Sequence, residues 1–513
     1  MKLNLEKLTI NSMKFIFVLL MILCGLWGKN AVAQEKTKVE ILNSNRLDLI
    51  RVDGMNVRRL RGDVRFRQGG VIMRCDSAYQ YLDNNEIDAF DNVVITQGDS
   101  MRLTGDFLNY NSESRQARIT GEKVVMVEKS MTLTTTVMNY NFENQMASYP
   151  VFGKLETDDN VLTSKKGSYH SPSKMAYFKD SVVLVNPDYE MHSDTLEYSP
   201  EAEIAYFFGP TFIYSDDNTI YCENGWYDTK QNKSKFGKNA YIQTKEQQLF
   251  GDSIFFDRAK DYGRAVGNVA AVDTAEQMTL RGQYGELFDN GDVTYITDSV
   301  LLEKYYGEDT VFVHADTLLA TYDSTGENRL IRAFYGVKTY SKDFQAVCDS
   351  LSYPLRDSLM KLYDEPIFWS EEYQITAEFM EIKIIDNKVD KFYLYRECLI
   401  ISEVVEERYN QVRGKEMIGY VFDNELKRIK VFGNGESIYY VLDEDDLFIG
   451  VNEIESSDMD IRMENQTLKG INFINQPKAT LSPIGMRPPL ELRLKGFHWQ
   501  PHRRPKSVED LFL

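Results

Sequence analysis

The feature that most constrains this chain is a unit that returns every 29 or 30 residues. An aromatic side chain closes successive stretches at Tyr81, Tyr110, Tyr140, Tyr169, Tyr198, Tyr227 and Phe256, at spacings of 29 or 30 residues. Two residues before each stand Tyr79, Leu108, Met138, Gly167, Leu196, Gly225 and Ile254, five of the seven large and apolar. Strand alternation then puts two bulky side chains per unit on one face. The second half of the unit repeats as well, as GDVRF (62–66), DNVVI (91–95), DSVVL (180–184), GPTFI (209–213), GNVAA (267–271) and DSVLL (298–302). Gly, Asp and Asn tolerate bent backbone, and the V-x-I and V-x-L that follow share one face. First-half strands carry a matching soft point in CDS, GDS and SDT, and hairpin signals such as YNSESR, YSPEAE and FDRAKDYG separate the halves. Each unit is predicted to be a pair of extended segments, each bent near its middle.

Helix fails as an alternative, because residues 60–400 hold period-two patterns and no i, i+3, i+4, i+7 apolar run over three turns. A fixed period of this length marks a solenoid, propeller or stacked array, and 29 residues are too few for a four-stranded propeller blade. The expected fold is all-β: an elongated β-jellyroll or solenoid-like stack of two-strand repeats. Periodicity fits two packings, a closed sandwich core or two sheets splayed around an apolar groove.

The 31 Tyr and 28 Phe suit pleated surfaces, and the net charge of −19 excludes a nucleic-acid binder, which needs a basic face. Residues 1–33 read as a secretory leader. Lys14 precedes the apolar run FIFVLLMILCGLW, and Ala31-Val32-Ala33 supplies an A-x-A cleavage site, so an exported, periplasmic protein is expected. Lipidation at Cys24 is the weaker reading, because Leu23 stands where a small residue is expected. Cys75, Cys222 and Cys348 share one phase of the repeat. Units stacked about 4.8 Å per strand keep the first two roughly 24 Å apart, beyond the ~7 Å reach of a disulfide. They are read as small apolar wall residues; Cys398 has no assigned place.

No catalytic motif is present: no G-x-S-x-G, Walker loop, G-x-G-x-x-G after a strand, or C-x-x-C. His498 and His502 are four apart, but Pro501 lies between them and no helix surrounds them. Asp216-Asp217 and the run DEDD at 443–446 read as solvated turns rather than paired catalytic carboxylates or a calcium loop. Neither an enzyme nor a cofactor or metal is expected.

The stretches RLRGDVRFRQGGVIMRCDSAYQYL, AFDNVVITQGDSMRLTGDFLNYN and ARITGEKVVMVE, in this order and phase, resemble the OstA-like family. This is the periplasmic lipopolysaccharide-transport group of LptA, which also supplies the N-terminal domain of LptD. The resemblance runs over about residues 45–400. It implies a taco-like β-jellyroll whose groove shields lipopolysaccharide acyl chains, with partners of the transport system joining at strand edges or copies joining head to tail. On that reading the groove residues are Leu108, Tyr110, Met138, Tyr140, Leu196, Tyr198, Ile254 and Phe256 from first-half strands. Val93, Ile95, Val182 and Leu184 come from second-half strands. Their role is to desolvate acyl chains at about 25 cal/mol per Å2. The alternative is a structural or adhesive exported β-solenoid with a closed core.

Two features depart from the family. The chain is much longer than a single-domain bridge protein, and nothing after residue 400 is patterned as a membrane barrel. The expected organisation is a leader at 1–33, a repetitive jellyroll at 34–400, a β continuation or cap at 401–485 and a Pro/Arg-rich tail at 486–513. Turns are expected at Asp423-Asn424, Gly433-Asn434 and near Glu464-Asn465. The tail is read as irregular, wrapping the domain or docking a partner.

Overall fold

The computed structural model describes residues 38–99, 101–288, 293–307, 309–322, 329–355, 358–385, 388–422, 425–443, 447–464 and 467–513. The leader with Cys24 and Ala33, the turn residues Asp423, Asn424 and Asn465, and residues 444–446 of the acidic run lie outside this set. Among the described residues there are thirty-four strands, short 3-10 turns and no α-helix. The pairings between them are antiparallel, most of them between strands consecutive in the chain and a few across one or two intervening short strands.

The bend predicted in each unit is a β-bulge. In the ladder between Met175–Asn186 and Tyr189–Ser199, Lys179 faces Thr195 and Val182 faces Ser193. Asp180 and Ser181 together therefore oppose Asp194. On the other side, Gly209 and Pro210 oppose the same Asp194. Left-handed residues sit in these bulges, with φ of 66° at Asp180, 55° at Ser181 and 82° at Gly209, which is why Asp, Asn, Ser and Gly fill the first two places of the pentads, Pro210 excepted. Such a bulge shifts the side-chain alternation. In Met101–Asn111 the buried positions are Met101, Leu103 and Gly105, then Leu108 and Tyr110. Both halves of one strand thus face the same interior after the chain has turned.

Side chains staple the corners. Asn92 Nδ2 donates to Asp76 Oδ2 at 2.7 Å, Asn239 Nδ2 to Glu223 Oε1 at 2.8 Å, and Asn268 Nδ2 to Asp252 Oδ2 at 3.0 Å. The Asp of CDS and GDS is therefore the acceptor for the bulge opposite. The four cysteines among the described residues are free and buried, and all four flank such a register shift: Cys75 opposite Val64, Cys222 opposite Thr211, Cys348 opposite Val337 and Cys398 opposite Gly414. Cys398, which sequence spacing left without a place, occupies the same corner as the others.

The chain divides into two units, residues up to 129 with 139–143, and residues 130–138 with 144–513. In the first unit one wall is built from 64–68, 71–75, 93–97 and 101–105, and the other from 55–61, 77–81, 86–90 and 107–111. Leu60, Val64, Phe66, Val93, Ile95, Leu103, Leu108 and Ile119 are buried between them. In the second unit the first wall includes 182–186, 189–193, 211–214 and 219–221, and the second wall 175–179, 195–199, 204–208 and 224–228. The ladder continues through Lys388–Val405, Arg408–Phe422, Glu425–Leu442 and Phe448–Glu464, so the β-structure expected after residue 400 is present. Gly433 and Asn434, read from sequence as a hairpin turn, form a left-handed bulge inside the strand Glu425–Leu442 instead.

The final segment is held by three buried glutamines on the outer face of the first wall. Gln411 donates to the Leu492 carbonyl at 2.9 Å and accepts from the Leu494 N–H at 2.9 Å. Gln374 donates to the His498 carbonyl at 2.6 Å and accepts from the Gln500 N–H at 2.7 Å. Gln345 accepts from Arg504 Nε at 2.6 Å. Apolar residues complete the strap: Leu494, Phe497 and Trp499 pack on Leu399, Ile401 and Tyr409. This cover explains why Phe344 to Cys348 are buried at five consecutive positions, breaking strand alternation. Of the two readings of the tail, the structure has it wrapping its own wall.

Candidate functional site

The interior between the walls is closed in some stretches and open in others, and one side-chain position of the repeat makes different contacts in the two. In the first unit Tyr110, near the end of one wall, donates its hydroxyl to Gln68 at the end of the other. Gln68 Nε2 reaches on to the Ser112 carbonyl at 2.9 Å. The next tyrosine of the series repeats the contact, Tyr140 donating to Gln97 Oε1 at 3.3 Å. Phe142 packs between the rings, 5.7 Å from Tyr110 and 4.7 Å from Tyr140. Burial pushes the Tyr110 hydroxyl up to about 12, which keeps it a neutral donor. In the second unit Asn160 Nδ2 donates to the Tyr198 hydroxyl at 3.0 Å, and Asn186 Nδ2 donates to Asn160 Oδ1 at 3.0 Å. These contacts join wall ends that lie farthest from the bends, and so latch the seam.

The latch then stops. Tyr227 makes a ring contact with Tyr189 at 5.3 Å, but its hydroxyl takes no hydrogen bond among the described residues. The ladder brings Phe256 and then Leu287 to the corresponding positions, and neither has a hydroxyl. Here a cleft of 710 Å3 lies between the walls. Ile213, Ile220 and Ile242 line it from the first wall, and Tyr227, Phe236, Phe256 and Leu287 from the second. Its mouth carries hairpin residues Asp188, Asp216, Asp217, Arg258 and Asp261. Beyond, Tyr306 and Tyr353 bring their hydroxyls to 3.4 Å across the seam. The apolar space enclosed there, among Leu302, Val313, Leu318, Ile331 and Leu351, is only 30 Å3. Further on, Ile400, Val412 and Tyr439 face Ile429, Ile461 and Met463 across 180 Å3.

All twelve groove candidates face the interior. Val93, Ile95, Leu108, Tyr110 and Tyr140 belong to the first unit, and Met138, Val182, Leu184, Leu196, Tyr198, Ile254 and Phe256 to the second. Eleven are at most 3% exposed. Phe256 is half-buried and is the one candidate among the residues lining the 710 Å3 cleft. The others fill packed or latched stretches.

Residues missed by sequence reasoning include Tyr189, Ile213, Ile220, Phe236 and Ile242. The signal that marks the cleft is in the aromatic series itself, in the loss of the hydroxyl at Phe256. The two glycines interrupting the apolar column also have a cause. A Cβ at Gly167 would stand 2.3 Å from the Tyr149 Oη, and one at Gly225 would stand 2.4 Å from Phe207 Cε2. A neighbouring ring fills each vacant place.

Among the described residues no three His, Cys, Asp or Glu side chains converge to hold a metal. The cleft sets apolar residues between the walls, with four aspartates and Arg258 at its mouth. No curated protein matches the chain. Residues 36–194 match the family model described as OstA-like protein, a shorter span than the 45–400 over which the resemblance was read. The bulged two-strand architecture itself continues past residue 194. Residues 36–194 are thus similar to the OstA-like family.

Proposed function

We propose that this chain is a non-catalytic periplasmic carrier that shields the acyl chains of lipopolysaccharide during transport to the outer membrane. The observation that carries the proposal is the 710 Å3 cleft between apolar walls, placed where the latch hydroxyls give way to Phe256 and Leu287. Covering an acyl chain with Ile213, Ile220, Phe236, Ile242 and Phe256 contributes about 25 cal/mol per Å2 of apolar surface removed from water. Latches are single hydrogen bonds, each worth about 0.5–1.5 kcal/mol net. An entering chain that buries a few tens of Å2 at each rung offsets their loss. Loading from the open stretch into latched stretches then proceeds one rung at a time.

Partners of the transport system, or further copies of the chain, join at strand edges. Among the described residues Arg46–Val52 pairs only with Met55–Gln68, and it exposes Leu47 and Leu49. Thr467–Ile474 and Lys478–Pro483 pair, among the described residues, only with Phe448–Glu464, and Leu481 is exposed. An unpaired edge with apolar side chains is a template for an incoming strand.

The test is titration of the full chain with a fluorescent fatty-acyl probe. Saturable binding displaced by purified lipopolysaccharide is expected; absence of saturable binding contradicts the carrier. The closed scaffold draws on the latched stretches, and predicts that absence.

A further inference from the structure

A second cavity, of 560 Å3, lies outside the groove where the end of the strap meets the first wall. Lys338, His502, Arg503, Arg504 and Lys506 line it, together with Asp510 and the C-terminal Leu513. Such a concentration of positive charge is out of keeping with a chain of net charge −19. The Asp510 carboxylate only partly offsets it. Asp510 Oδ2 is engaged by the backbone N–H groups of Lys506 at 2.7 Å and Ser507 at 3.1 Å. Lys338, Arg503 and Lys506 form no ion pair among the described residues, and the one contact of the Arg503 guanidinium is the uncharged Gln500 Oε1 at 3.3 Å.

Arg504 is fixed from behind. Its Nε donates to Gln345 and its terminal nitrogen to the Glu371 carbonyl at 2.8 Å. Gln345 is oriented in turn by donating to the Ser341 carbonyl at 2.6 Å. A guanidinium oriented this way, with two lysines and a second arginine around one concavity, presents converging donors. Arginine forks match the oxygens of phosphate, and lysine adds point charge. Neutral sugars and acyl chains gain nothing from that charge, whereas a phosphate bearing close to two negative charges near neutral pH does.

We propose that this cleft is an anion site for a phosphate monoester or diphosphate group, carried by a glycolipid head group or by a soluble phosphate. It shares no residue with the groove, so it stands or falls separately from the carrier reading.

The test is calorimetric titration of the full chain with inorganic pyrophosphate at low salt. Arg503 and Lys506 are exposed, so the double variant Arg503→Gln/Lys506→Gln is compared with a charge-matched control, Lys123→Gln/Lys165→Gln. Binding that weakens as salt is added, and that falls about tenfold or more in the first variant but not in the control, is expected. No pyrophosphate binding at low salt, or equal affinity in both variants, overturns the site. Phosphatidylcholine vesicles with and without phosphatidic acid then separate the sources. Sedimentation with the phosphatidic acid vesicles alone, released by pyrophosphate, assigns a lipid head group; pyrophosphate binding without sedimentation assigns a soluble phosphate.

Discussion

Asn160 and Tyr198 meet at 3.0 Å across the seam of the second unit, the amide of one wall donating to the hydroxyl of the other. Asn160 is 5% exposed, so no solvent is at hand to replace that partner. Tyr198→Phe keeps the ring and removes the acceptor. The unsatisfied amide costs about 1–3 kcal/mol, and the urea midpoint of the second unit is expected to fall accordingly. An unchanged midpoint would show that the latch contributes nothing.

The corners make a sharper prediction. Gly267 has φ +72°, and a Cβ there would lie 2.4 Å from Asp252 Oδ2, the group that holds Asn268. Gly267→Val is expected to destabilise by about 1–3 kcal/mol through backbone strain and a broken staple. Gly70→Ala, with nothing within 4 Å of the new methyl, is the matched control and should leave thermal unfolding nearly unchanged.

Near the chain's last ladder, Arg428 forks onto Asp460 with contacts of 2.7 and 2.6 Å. The guanidinium holds the Asp460 carboxyl below its ordinary value. The unfolded chain therefore takes up this proton first as pH falls. The stabilisation is present above the ordinary carboxylate range and is lost as pH drops through the lowered native value. Asp460→Asn is expected to lower the denaturation midpoint at pH 7, with the gap to the wild type closing below about pH 4. A gap independent of pH would contradict the ion pair's role.

For the strap, Gln411→Leu removes both bonds that hold Leu492 and Leu494. Trypsin cleavage after Arg493 and Lys495 is then expected to accelerate several-fold, read by mass spectrometry of the released C-terminal peptide. Equal cleavage rates would mean that the apolar contacts of Phe497 and Trp499 hold the strap alone.

Much of this architecture was legible in the sequence, because its causes are local. The period, the bends at pentads such as DSVVL, and the inward phase of Leu196 and Tyr198 follow from alternation and from residues that accept left-handed backbone. The strap's course was not legible. Gln345 meets Arg504 across 159 residues and Gln374 meets Gln500 across 126, and an irregular segment carries no period that points to its partner. Nor did the repeat reveal how far the seam opens. Tyr198 and Phe256 occupy the same place in the pattern, yet one is sealed and the other lines the cleft. That outcome turns on a hydroxyl and its partner some forty residues away, as with Tyr110 and Gln68.

The most direct measurement of the central claim is in-cell photocrosslinking with the photoreactive residue at Phe256. Phe255 is the control, since its ring lies on the outer face, under Arg264 and 6.4 Å from Trp226. A lipopolysaccharide adduct at 256 and none at 255 is the predicted result. No adduct at 256 in a folded, normally abundant protein, or equal adducts at both positions, would contradict the account.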